Sequence, residues 1–390
     1  MRLPSITRGA EVGLCGAAPT TKYAADTVFW NSQATSLASR LSAAFRSKTG
    51  GSPHGALETC KMPRLTRVRL LGFKSIKSLD LEIRALNDLI GANGAGKSNL
   101  VSFFKMVNEM MGGRLQQFIA ASGRASSMLH YGPKVTPQME ARVVFDVDNG
   151  QDTYIMRLFH AAGDTLVFAE EDLEFLRAGW TGEPQRTSLG AGHQETQILE
   201  EAEEGNATAR VFRHLLNNCR VYQFHDTSET AGIRRYCYVG DDRWLMPDAR
   251  NLAAVLYRLK NSEDARAYQR ILGTIRQIAP FFADFELEPS GPGGKDIILN
   301  WRERASDQVF GPHQVSDGTL RAIALITLLL QPVDDLPSLI VIDEPELGLH
   351  PFAKNVLASL MRKASQHCQI IVATQSAGFL EAFAPEEIVV

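Results

Sequence analysis

From Leu65 onward the chain alternates between two hydrophobic periods. Val68, Leu70 and Leu71 lead into Gly72-Phe73-Lys74-Ser75. Leu79, Leu81 and Ile83 then alternate with Asp80 and Glu82, the period of a half-buried strand. A short strand is predicted at Leu86-Asn87-Asp88-Leu89-Ile90, followed after nine small, polar and glycine-rich positions by Leu100, Phe103, Phe104, Met106 and Val107 at helical spacing. Further on, Leu339-Ile340-Val341-Ile342 is an unbroken apolar run with β-branched content, as expected of a central parallel strand covered on both faces. Ile370-Ile371-Val372-Ala373-Thr374 reads the same way. Between Ser98 and Ser316, residues 139–147 and 154–158 predict strands, and residues 252–259 and 267–278 predict helices. No heptad repeat is sustained, so long coiled-coil arms are not expected. The longest apolar run, residues 322–330, is too short to span a bilayer and reads as a buried helix.

Composition adds bounds. The chain has 390 residues, 44% hydrophobic and 22% charged, the balance of an ordinary globular protein. A net charge of −3 gives no global basic excess of the kind that marks nucleic-acid binders. Five cysteines are scattered without CxxC spacing, which fits reduced thiols in a cytoplasmic protein and neither a disulfide framework nor a zinc site. Residues 1–61 differ from the rest: they are rich in Ala, Ser, Thr and Gly, with seven Lys or Arg against three acids. Three readings fit them, namely a transit peptide, a disordered tail, or an extension upstream of a start at Met62.

The chemistry concentrates at strand ends. Gly91-Ala92-Asn93-Gly94-Ala95-Gly96-Lys97-Ser98 matches the phosphate-loop pattern in full, with a strand before it and a helix after it. The glycines allow a tight turn whose N–H groups point inward, and the helix beginning at Lys97 directs its positive end at the same anion. Gly91, Asn93, Gly94, Gly96, Lys97, Ser98 and Asn99 are therefore the candidate nucleotide-binding residues. Lys97 meets the β- and γ-phosphates, and the Ser98 hydroxyl is placed to ligate Mg²⁺. Asp343-Glu344-Pro345 ends the second buried strand, where open α/β sheets bind ligands. Asp343 is a metal ligand candidate and Glu344 a general base. Gln375, at the tip of the next strand, is the polar group that can reach a terminal phosphate. Ser316-Asp317-Gly318 opens a strongly apolar helix and reads either as an anion site or as a plain N-cap.

The order phosphate loop, Ser316-Asp317-Gly318, Asp343-Glu344-Pro345, Gly348-Leu349-His350-Pro351 and Thr374-Gln375-Ser376 resembles the ABC-type ATPase heads of the RecF, SMC and OLD group, above all bacterial RecF-like predicted ATPases. Gly72-Phe73-Lys74-Ser75 and the Asn99 that follows the loop belong to the same resemblance, which runs from about Leu65 to Val390. It implies an α/β P-loop NTPase fold with a mixed β-sheet core flanked by helices and an inserted α+β lobe. The expected divisions are residues 62–112 for the phosphate-loop part, 113–310 for the inserted lobe and 311–390 for the signature and carboxylate part. It further implies ATP and Mg²⁺ as ligands and an ATP-dependent homodimer. Ser316 and Gly318 would contact the γ-phosphate bound to the other subunit, residues 346–350 would cross the interface, and Gln223 would be the metal-sensing glutamine. Gln375 stands where many ABC proteins carry His, a departure that bears on hydrolysis and not on binding. The Leu-Ser-Gly-Gly-Gln motif of transporter ATPases is not present.

Two functions follow from these expectations. One is an ATPase that acts on DNA in repair, recombination or defence. The other is an ATP-switched subunit that controls a separate effector such as a nuclease. After Glu344 no stretch resembles the Toprim nuclease of OLD proteins, and the chain runs out at Val390 inside an expected strand. The histidines, His225 among them, are isolated and read as ordinary side chains. The acids at positions 195–204 read as a solvated helix face, and Arg234-Arg235 as exposed basic residues, with nucleic-acid contact the alternative.

Overall fold

The protein is described here by a computed structural model covering residues 63–91, 94–263 and 265–389. The expected N-terminal extension and Asn93 lie outside the described residues. Alternation in the first segment produces two strands, β1 (Arg64–Phe73) and β2 (Ile76–Glu82), joined antiparallel through the two-residue turn Lys74-Ser75, with Phe73 opposite Ile76. The next strand, β3 (Leu86–Leu89), is buried at every position and leads into the phosphate loop and helix α1 (Lys97–Met110). The apolar stripe of α1 is buried, with the Phe103 ring edge-on to Phe73 at 6.0 Å. Two short helices follow, α2 (Leu115–Ala121) and α3 (Arg124–Met128).

Four further strands extend the first hairpin: β4 (Gln138–Val147), β5 (Gly150–Ala161), β6 (Thr165–Arg177) and β7 (Gln185–Gly190). They form an antiparallel sheet in the order β2-β1-β4-β5-β6-β7. Helices α4 (Ile198–Glu204) and α5 (Ala207–Asn217) then lead to β8 (Cys219–Tyr222). After α6 (Leu252–Lys260) and α7 (Arg266–Ile278) come α8 (Asp317–Leu330), β9 (Leu339–Asp343), α9 (Pro351–Ala364), β10 (Gln369–Ala373) and β11 (Ile388–Val389). The central sheet runs β11-β3-β10-β9-β8, and every pairing in it is parallel. The stretch 113–310 thus feeds both sheets. Residues 138–190 complete the antiparallel sheet with β1, and Cys219–Tyr222 forms an edge of the parallel one.

Strand β9 is buried at all five positions because β8 and β10 flank it and apolar side chains of α8 and α9 join the same core. That cover explains the unbroken apolar run seen in sequence. It also places Asp343 at the carboxyl end of the sheet, between the ends of β8 and β10 and one strand from the end of β3.

Two surface expectations are corrected. Arg234 is buried: it donates to the carbonyls of Thr227, Pro312 and Val315 and pairs with Asp317 at 2.6 Å. Three inward carbonyls and one carboxylate give a guanidinium reason to be inside, so Arg234 is no DNA-facing group. Glu195 is not part of a solvated acidic face. Its carboxylate accepts from the backbone N–H groups of Leu115 and Gln116 at 2.8 and 2.9 Å and so caps α2.

Candidate nucleotide site

The phosphate loop delivers Gly96 as the residue before α1, with φ 104°, in the left-handed region that favours glycine. Lys97 opens the helix, and its ammonium donates to the Gly91 carbonyl across the loop. Ser98 is exposed in the first helical turn, where N–H groups lack intrahelical partners. Asn99 points elsewhere: its amide donates to Ser75 Oγ at 2.6 Å, tying α1 to the β1–β2 turn.

Asp343 closes the site from β9. The residue is 9% exposed; Oδ2 accepts from Gln223 Nε2 at 3.2 Å, and Oδ1 has no partner. Burial pushes its carboxyl above the ordinary range and Glu344 adds to this, while His225, Gln223 and Lys97 pull it down. A buried carboxylate oxygen with no donor, near a lysine, is the kind of group a hard cation satisfies. The residues present therefore fit Mg²⁺, with Asp343 and the Ser98 hydroxyl to hold it. When bound, such an ion neutralises charge on the terminal phosphate oxygens.

Glu344 follows with φ 44°, a left-handed conformation uncommon for a residue with a side chain and often found at functional positions. Its N–H donates to the Ala373 carbonyl at 2.8 Å, and its Oε1 accepts from Gln375 Nε2 at 2.6 Å. The tips of β9 and β10 are thus joined through the two candidate catalytic side chains.

Ser316 and Gly318 make their contacts elsewhere. Ser316 caps α8, accepting from the Thr319 N–H at 3.2 Å. A Cβ on Gly318 would lie 2.3 Å from the Gly348 carbonyl, so only glycine allows α8 to approach that loop. Of residues 346–350, Glu346 is 6% exposed and accepts from Thr374 Oγ1 at 2.5 Å, whereas Leu347 is 43% exposed. The part of this loop available to cross an interface therefore begins at Leu347.

Residues 86–381 match the family described as an AAA domain, putative AbiEii toxin, Type IV TA system. The chain belongs to that AAA-domain family. Among solved structures it resembles an Smc head bound to the C-winged helix domain of ScpA, at TM-score 0.53 and 14% identity, over 82% of this chain and 91% of that one. It also resembles the Smc head domain with an extended coiled coil bound to the C-terminal domain of ScpA from Pyrococcus furiosus, at TM-score 0.52 and 14% identity, over 82% and 92% of the two chains. A search of curated proteins found no match. The fold is that of an ABC-type ATPase head of the SMC kind, as the motif order implied.

Two residues of this AAA-domain protein that the sequence reading did not assign to the site stand beside it. His225 Nε2 lies 2.8 Å from the Asp343 carbonyl oxygen. Its signal was the spacing Gln223-x-His225, which sends both side chains to one side of an extended exit from β8. Arg321 is a charged residue on a helix otherwise largely buried, which was its signal. It donates to the carbonyls of Phe224, His225 and Leu347 and to Thr227 Oγ1. A single guanidinium thereby joins the helix behind Ser316, the segment carrying Gln223 and the loop after Glu344. Among the described residues no helix is long and apolar enough to cross a membrane.

Proposed function

We propose that this chain binds and hydrolyses ATP, dimerises on it, and couples that cycle to DNA in repair, recombination or defence. The observation that carries the nucleotide reading is the unpartnered Asp343 oxygen, buried at the sheet's carboxyl end with Lys97 close enough to lower its pKa. In this reading the loop N–H groups and Lys97 hold the triphosphate, and Ser98 and Asp343 hold the metal. Glu344 takes the proton of the attacking water, and Gln375 orients the Glu344 carboxylate. Ser316 and Gly318 act on the nucleotide of the other protomer, with Leu347 and Gly348 at the interface. The DNA role is supported by likeness of motif and fold alone.

The bond between Gln375 and Glu344 favours a second reading. A general base held by a neutral amide suits slow turnover, and slow turnover suits a switch that controls a separate effector. The family description, which names a putative AbiEii toxin and a Type IV TA system, and the ScpA-bound state of the similar Smc heads support it. Steady-state ATP turnover with and without duplex DNA separates the two. Stimulation by DNA supports the first, and slow DNA-independent turnover the second. No turnover with Mg-ATP bound would contradict hydrolysis itself.

A further inference from the structure

Tyr131 is the most exposed large apolar side chain among the described residues, at 81%. Its backbone has φ 55°, a conformation that a bulky residue holds only when its surroundings fix it. Those surroundings are visible. The His130 N–H donates to the Gly72 carbonyl and the Gly132 N–H to the Leu129 carbonyl, each at 3.0 Å. His130 Nδ1 lies 3.0 Å from the Lys74 carbonyl oxygen. Leu129 bridges Phe73, and the Lys74 N–H donates to the Met128 carbonyl at 2.8 Å. The His130 ring rests against the Tyr131 ring, centroids 4.3 Å apart. Backbone order is thus committed to holding an aromatic ring out in water.

The turn that anchors Tyr131 is also the turn that meets the phosphate loop. Ile76 Cγ1 lies 3.3 Å from the position of a Cβ on Gly96. Asn99 bonds Ser75 Oγ, and Lys74 Nζ donates to Ser102 Oγ at 2.6 Å. In the nucleotide reading, the γ-phosphate end of the site lies at Asp343 and Glu344, at the tip of β9. On that reading a triphosphate wrapped on the loop leads its sugar and base the other way, over the first turn of α1, where Asn99 meets Ser75.

We propose that Tyr131 is the base-stacking residue of the nucleotide site, presenting its ring face to the purine of the bound nucleoside triphosphate while His130 fixes the ring. The inference rests on the nucleotide reading of the phosphate loop. Stacking through a π-face accepts either purine, so Tyr131 adds affinity for a base over none and leaves adenine and guanine undistinguished.

The test is calorimetric binding of ATP and of inorganic triphosphate, both with Mg²⁺, to the full chain and to three variants. Tyr131→Ala is expected to weaken ATP about tenfold and leave triphosphate unchanged, with Tyr131→Phe close to the parent. Unchanged ATP affinity in Tyr131→Ala overturns the proposal. So does an equal loss of ATP and triphosphate, which would make Tyr131 a support for the loop and not a contact to the base. Lys97→Ala is expected to lose both ligands. If it keeps both, the nucleotide reading itself fails, and the stacking role goes with it.

Discussion

Among the described residues, the two largest sheets each hold a buried carboxylate whose surroundings differ sharply, Glu171 in the antiparallel sheet and Asp343 at the end of the parallel one. In the antiparallel sheet Glu171 is fully buried and fully satisfied. It accepts from Tyr154 Oη at 2.7 Å, from Thr196 Oγ1 and from the Gln197 N–H at 2.9 Å, and His193 Nε2 lies 2.8 Å from it. At the end of the parallel sheet Asp343 has one donor on one oxygen and none on the other. A satisfied buried carboxylate rigidifies the architecture around it. A buried one left short of donors is a cost to the fold, and here it feels the charges of Lys97 and Glu344, with Gln375 bonded to Glu344. The difference separates a carboxylate that serves the scaffold from one kept ready for a ligand.

Exchanging the two losses sharpens this contrast. Glu171→Ala leaves the Tyr154 and Thr196 hydroxyls and a backbone N–H without an acceptor, at roughly 1–3 kcal/mol for each buried group. The expected fall in unfolding free energy is about 3–5 kcal/mol, read from denaturant midpoints, with ATP affinity unchanged in the folded fraction. Asp343→Asn should do the reverse. Its side-chain carbonyl can still accept from Gln223, so unliganded stability holds, while the Mg²⁺-dependent part of ATP affinity disappears in calorimetry. Equal behaviour of the two variants would break the comparison.

The smallest expected effect concerns Asp88, one strand away in β3. It is fully buried with neither oxygen partnered, and burial, followed by the charges of Glu346 and Glu387, raises its carboxyl to about 7. The folded state then holds this proton more tightly than the unfolded chain, whose ordinary value is 3.8. Stability from this group is present in acid and is lost as pH rises from about 4 through about 7. Asp88→Asn should therefore raise the melting temperature over the parent at pH 8 and have little effect near pH 4. The same shift at both pH values would remove Asp88 from the account.

Much of this was written locally in the chain. The glycine-rich turn between a buried strand and an apolar helix, and two acids at the end of a β-branched run, depend on neighbours in sequence, and the structure brings Lys97, Asp343, Glu344 and Gln375 to the carboxyl end of one sheet. Helices α6 and α7 fall within a residue of their apolar periods. The rest depended on distant partners. Strands β6 and β7 carry mixed patterns and are strands because β5 and then β6 pair with them. Charge misled at Arg234 and Glu195, since the groups that draw them in come from segments remote in sequence. Tyr131 has no local pattern and His225 only its spacing from Gln223, and their contacts emerge only once β8 meets β9 and α3 meets the first hairpin turn.

Light scattering on Glu344→Gln with and without Mg-ATP tests the central claim most directly. The account predicts a monomer without nucleotide and a dimer with it, because a slowed general base preserves a shared site in which Ser316 and Gly318 complete the partner's pocket. A monomer in both conditions, with ATP shown to be bound, would reduce Ser316 to the cap of α8 and contradict the two-subunit ATPase reading.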